Sequence, residues 1–109
     1  MTELIPSHIY FTHSVINYKF SGCGKLLENS LNELITNPKL IYTIPQIKVF
    51  YIINNNNIKY YSENNRRLWL FKELEKKGLL DKINVRLEKA KNAKYYKNTY
   101  SMNVKIKKH

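Results

Sequence analysis

Apolar residues recur along the chain with a period that shifts between two and about 3.6, and each shift marks an element. The run His8-Ile9-Tyr10-Phe11-Thr12, behind Pro6, is β-prone and predicts a first strand. Phe20-Ser21-Gly22-Cys23-Gly24 breaks it. Leu27, Leu31, Leu34 and Ile35 then fall at i, i+4, i+7 and i+8, one face of a helix, with Ser21 as a candidate cap and Asn37-Pro38 as the stop. From Pro45 the period returns to two: Ile47, Val49, Tyr51 and Ile53 alternate with Lys48, Phe50 and Ile52. Both faces are mostly apolar, which suits an inner strand. Asn54-Asn55-Asn56-Asn57 follow, then Ile58-Lys59-Tyr60-Tyr61. Asparagine tolerates positive φ, so two β-runs around it predict a hairpin.

After the break at Ser62-Glu63-Asn64-Asn65, the residues Leu68, Phe71 and Leu74, flanked by Trp69, give a second helical face. Gly78 with Leu79 behind it is the expected left-handed stop. Ile83, Val85 and Leu87 alternate with Asn84 and Arg86 and predict a third core strand. Met102, Val104 and Ile106, against Asn103, Lys105 and Lys107, are one further candidate. The predicted order is β-α-β-β-α-β. That is an α+β domain with a small mixed sheet and two packed helices. Leu31, Ile47, Val49, Leu68, Trp69, Phe71 and Val85 are its expected core.

Composition narrows the class. A chain of 109 residues, 43% apolar and 13% aromatic, forms one small globular domain. A single cysteine, Cys23, excludes an intramolecular disulfide framework and a cysteine-rich zinc site. No apolar run approaches the roughly 18–20 residues of a membrane span. Met1-Thr2-Glu3-Leu4 lacks the basic start and long apolar stretch of a signal peptide. The expectation is an intracellular protein, cytoplasmic or nuclear, with no membrane partner.

Charge says more about partners than about fold. The formal net charge is +11, which points to an anionic partner such as a nucleotide or nucleic acid. Seven of the 19 basic side chains lie from Lys89 onward, where there is no carboxylate. The natural division is a domain at 5–88 and a basic tail at 89–109. In the tail, lysines interleave with Tyr95, Tyr96 and Tyr100, as in a single-strand or RNA contact. A solvated tail, or an edge strand guarded by lysine, carries the same composition.

The candidate chemistry sits in Tyr61-Ser62-Glu63-Asn64-Asn65-Arg66-Arg67-Leu68-Trp69, a strand, a loop and a helix start. A loop entering a helix presents unpaired N–H groups at the positive end of the macrodipole, which suits an anion. Arginines add planar forks for phosphate oxygens, and asparagines cap the helix or donate to the same anion. Asn64, Asn65, Arg66 and Arg67 are therefore candidate phosphate or nucleotide ligands. The plainer alternative has Asn64 or Asn65 as a cap, one arginine in solvent and the other paired with Glu63 or Glu73. Ser21-Gly22-Cys23-Gly24-Lys25 is a Gly-flanked turn ending in lysine. It is not a Walker loop, because Leu26 follows Lys25. Lys25 is either a second anion contact or a solvent-facing lysine. His8 and His13, five residues apart, read as isolated surface histidines ahead of a metal pair, so no metal site is expected. His13 or Ser14 can also stand at the phosphate end of the first strand.

Taken in order, residues 6–88 resemble the ParB/sulfiredoxin-like fold family. The features that carry the likeness are the strand Ile44-Pro45-Gln46-Ile47-Lys48-Val49, the loop Asn64-Asn65-Arg66-Arg67 followed by Leu68 and Trp69, and the final strand opening Ile83-Asn84-Val85-Arg86. ParB-like members read roughly Gly-Glu-Arg-Arg in that loop, and sulfiredoxins Gly-Gly-Cys-His-Arg. Here Asn65 stands at the reactive cysteine and Arg66 at the histidine, while Arg67 matches both patterns. The resemblance implies binding of a nucleotide or nucleic-acid phosphate, with ATP or CTP and Mg²⁺ as candidate cofactors. Some relatives hydrolyse CTP or act as nucleases, and Glu63 and Glu28 are the acids nearest the site in that layout. Sulfiredoxin chemistry needs a thiolate beside ATP, and in this chain only Cys23 can supply one, as a possible redox residue. Three classes stand: a phosphate-recognition module, which leads; an enzyme on the same fold, either a nucleotide hydrolase or nuclease, or an oxidoreductase using Cys23; and a protein-interaction module whose loop binds an acidic peptide.

Overall fold

The computed structural model describes residues 2–12, 15–17, 26–90 and 105–107. Along them run β1 (Thr2–Leu4), β2 (Ile9–Tyr10), β3 (Val15–Asn17), α1 (Leu27–Thr36), β4 (Ile47–Asn54), β5 (Asn57–Ser62), α2 (Asn65–Lys76), β6 (Ile83–Lys89) and β7 (Lys105–Lys107). Short 3-10 helices cover Pro6–His8 and Pro38–Thr43. Five strands form one mixed sheet in the order β1-β6-β4-β5-β2, and β3 pairs with β7 in parallel as a separate ribbon. The fold is α+β.

The central place of β4 follows from its two apolar faces. It lies antiparallel to β5 and parallel to β6, with Ile47 opposite Val85 and Val49 opposite both Leu87 and Ser62. The β4–β5 turn uses two of the four asparagines. Asn55 and Asn56 take φ of 48° and 67°, the left-handed pair that a two-residue hairpin requires. Asn54 and Asn57 belong to the strands and face each other across the register.

The helix ends are equally local in origin. Gly78, with φ 74°, follows α2, and its N–H donates to the Glu75 carbonyl while the Leu79 N–H donates to that of Leu74. This pair of bonds is the Schellman stop that Gly78 and Leu79 predict. Leu79 then packs onto the cluster that contains Leu74. At α1 the expectation is corrected. Leu26 occupies the N-cap position and makes no side-chain cap bond, while Ser21 lies outside the described residues. Asn37-Pro38 does stop α1, but the chain continues into a 3-10 helix, because proline fits a first helical position.

The first strand is shorter than predicted. The 3-10 helix behind Pro6 takes His8, only Ile9 and Tyr10 pair with β5, and Phe11 leaves the sheet to enter the core at 2% exposure. β1, which the sequence pattern does not reveal, lies antiparallel to β6. Of the last candidate strand, Lys105–Lys107 pairs with β3, while Met102 and Val104 lie outside the described residues.

The core has two parts that share α2. Leu68 and Phe71 face the sheet with Ile9, Phe11, Ile47, Val49, Ile83 and Val85. Leu70 and Leu74 meet Leu31 and Leu34 of α1. Trp69, expected as core, is half-buried and packs against both parts. Among the described residues no helix is long and apolar enough to cross a membrane.

Candidate functional site

The start of α2 is built by short-range hydrogen bonds. Ser62, fully buried at the end of β5, donates from Oγ to the Asn64 carbonyl at 2.9 Å and accepts from the Asn64 N–H at 3.0 Å. This turns the chain out of the sheet. Asn64 then caps the helix, its Oδ1 accepting from the Arg67 N–H at 3.0 Å. That cap is one of the plainer roles open to the loop.

Asn65 serves a connection that the sequence does not announce. It is 7% exposed, and its Oδ1 accepts from the Thr12 N–H at 2.8 Å while its Nδ2 donates to Thr12 Oγ1 at 3.0 Å. Thr12 Oγ1 in turn donates to the Ser62 carbonyl at 2.9 Å. The carboxamide thus ties the segment after β2 to the first turn of α2 across 53 residues. Thr12 is the residue that sequence reasoning missed, since its partners are remote in the chain and no local pattern marks it.

Arg66 and Arg67, both half-buried, occupy this same first turn, which carries no acidic residue. Adjacent helical positions point about 100° apart. Arg67 lines a groove of about 330 Å³ between α1 and the Pro38–Thr43 helix, with Ser30, Glu33, Thr43 and an apolar wall that includes Leu34 and Leu70. Arg66 does not line it. The carboxylates that the sequence offered as arginine partners go to lysines instead. Glu73 pairs with Lys76 at 3.1 Å, and Glu63 with Lys48 at 3.9 Å, where Glu88 also approaches Lys48 at 3.3 Å. Among the described residues Arg67 makes no ion pair.

The other candidates are not brought together by the described structure. Cys23, Lys25, His13 and Ser14 lie outside the described residues, as do Tyr95, Tyr96 and Tyr100 of the tail. Glu28 sits exposed in the first turn of α1 and His8 in the first 3-10 helix. Among the described residues no three His, Cys, Asp or Glu side chains cluster as metal ligands.

One titratable group near the site is perturbed. Lys72 is buried on α2, its Nζ 4.8 Å from the centre of the Phe11 ring. Burial pushes its pKa down to about 8, against the attraction of Glu75 and with an added push from Lys76. The folded chain therefore releases this proton before the unfolded chain does. Below about pH 8 both states are protonated and the cost of the buried charge is fully present. From there to about pH 10.5 the unfolded state binds more protons, so this group makes stability rise with pH. Lys72→Met is expected to be more stable than wild type at pH 7, with the difference shrinking by pH 10. Urea midpoints at pH 7, 8.5 and 10 test this, and a constant difference across the window refutes it.

No family model, curated protein or solved structure matches the chain.

Proposed function

We propose that this protein is a phosphate-recognition module that binds a nucleotide or a nucleic acid at the start of α2, as its resemblance to ParB/sulfiredoxin-like proteins implies. One observation carries the reading: the first turn of α2 holds two arginines and no acid. A helix N-terminus carries about half a positive charge, so cations there are opposed by roughly 0.3–1 kcal/mol each. Glu63 and Glu73, the acids nearest Arg67 in the sequence, pair with lysines. A bound phosphate reverses the sign of the interaction, with the dipole and the Arg67 guanidinium then acting on it together and Arg66 adding charge from beside the groove. Arg67 is the leading contact and Arg66 the second. Asn64 and Asn65 hold the turn in place through their cap and their Thr12 bonds. The net charge of +11 adds long-range attraction for polyanions.

The test is a thermal-shift series with ATP, CTP, GTP and a short single-stranded oligonucleotide, with and without Mg²⁺, on wild type, Arg66→Ala and Arg67→Ala. A ligand at 100 times its dissociation constant adds about 2.7 kcal/mol of stability. The expected result is a shift with at least one ligand that Arg67→Ala removes and Arg66→Ala reduces. No shift with any ligand, or one that both variants retain, overturns the reading.

A further inference from the structure

Tyr42 is 91% exposed, although it sits in the short 3-10 helix that covers the end of the helix-to-helix core. Tyr42 lines two hollows, and Ile41 and Lys82 line both with it. The first, of about 370 Å³, has a floor that includes Phe71 and Ile83 and a rim of Tyr42, Gln46, Lys82 and Asn84, with no carboxylate. The second is lined by Lys39 and Lys82 together with Glu3 and Asp81. The Arg67 groove adjoins the first hollow, because Ile44 lines both. Arg67 and Phe71, which lie in these two places, are about one helical turn apart on α2.

We propose that the first hollow receives an unstacked base of a single-stranded nucleic acid whose adjoining phosphate is held at Arg67. This rests on the reading of the α2 start as a phosphate site, and it names the ligand as a strand and not a free nucleotide. An exposed tyrosine ring offers a stacking face that any base can use, and a flanking lysine meets the backbone. The side-chain amides of Gln46 and Asn84 carry paired donors and acceptors, the chemistry that reads base edges. A duplex has its bases already stacked and offers none to the hollow. The lining of the first hollow has no carboxylate, whereas Glu33 stands in the Arg67 groove and Glu3 and Asp81 in the second hollow, so a strand running from Arg67 to Lys82 meets least repulsion along the Tyr42 side of the first hollow.

Fluorescence anisotropy on the full chain decides it, with labelled ten-nucleotide oligo(dT) and oligo(rU) as probes and an unlabelled hairpin duplex as competitor. Wild type is expected to bind the single strands in preference to the duplex. Tyr42→Ala is expected to weaken binding roughly 5- to 150-fold, and Tyr42→Phe to restore most of it. Lys82→Ala is expected to reduce the slope of log affinity against log salt by about one phosphate contact. At 91% exposure, the loss of the Tyr42 ring leaves the core untouched. Equal binding by wild type and Tyr42→Ala, or a duplex that competes as well as a strand, overturns the proposal. If Arg67→Ala loses the strand while Tyr42→Ala keeps it, the α2 phosphate site stands and the base hollow falls. If Tyr42→Ala loses it while Arg67→Ala keeps it, the hollow binds on its own and the α2 site falls.

Discussion

Phe11→Ala is expected to destabilise the fold by about 3–5 kcal/mol. The ring is 2% exposed and belongs to the sheet-facing part of the core, with Ile9, Val49, Leu68 and Phe71. Its removal leaves a cavity at the point where β2 gives way to the segment that Asn65 holds. It also takes away the aromatic face beneath the Lys72 ammonium at 4.8 Å, and with it one favourable contact of a buried cation. Phe11→Leu keeps most of the volume and is expected to lose less than half as much. Urea unfolding followed by circular dichroism measures both. A loss under about 1 kcal/mol for the alanine variant would show that Phe11 is not part of the core.

Leu74→Ala is expected to cost about 2–5 kcal/mol by the same method. Leu74 is fully buried where α2 meets α1, and its carbonyl accepts the Leu79 N–H that closes the helix. The side chain packs with Leu31 and Leu34, and Leu79, just past the turn at Gly78, packs against the same cluster. Trp69, Ile44 and Leu80 touch both parts of the core, so the Phe11→Ala and Leu74→Ala losses are expected to couple and not simply add. A double variant whose loss equals the sum of the two would show that the halves are independent.

Elements that depend on near neighbours in the chain are legible in the amino-acid sequence. The alternation from Ile47 to Ile53, the asparagine turn, the α2 face and the stop at Gly78 are each written in the element's own consecutive residues, and each is present. The elements that escape are those made by distant pairing. β1 has three residues with Glu3 at its centre, too short to show a period, and it exists because β6 offers an edge. The 3-10 helix at Pro38–Thr43 carries no strong apolar repeat, yet it shapes two of the hollows around Tyr42. At the site, the cap by Asn64 is readable from the loop alone. The Asn65–Thr12 tie is not, because nothing near Asn65 names a partner 53 residues away.

The strand pairings also govern when this chain can fold. β1 pairs with β6, β2 with β5 and β3 with β7, so each strand ahead of α1 finds its partner beyond β4. A nascent chain emerging N-terminus first holds Thr2–Leu4 unpaired until Ile83–Val85 have been made. The first stretch able to organise itself is the β4–β5 hairpin with α2, whose turn, cap and stop are all local. Thr2–Leu4 and Val15–Asn17 can therefore take their places only once β6 and β7 have been made, whereas Ile9–Tyr10 can pair as soon as β5 is present.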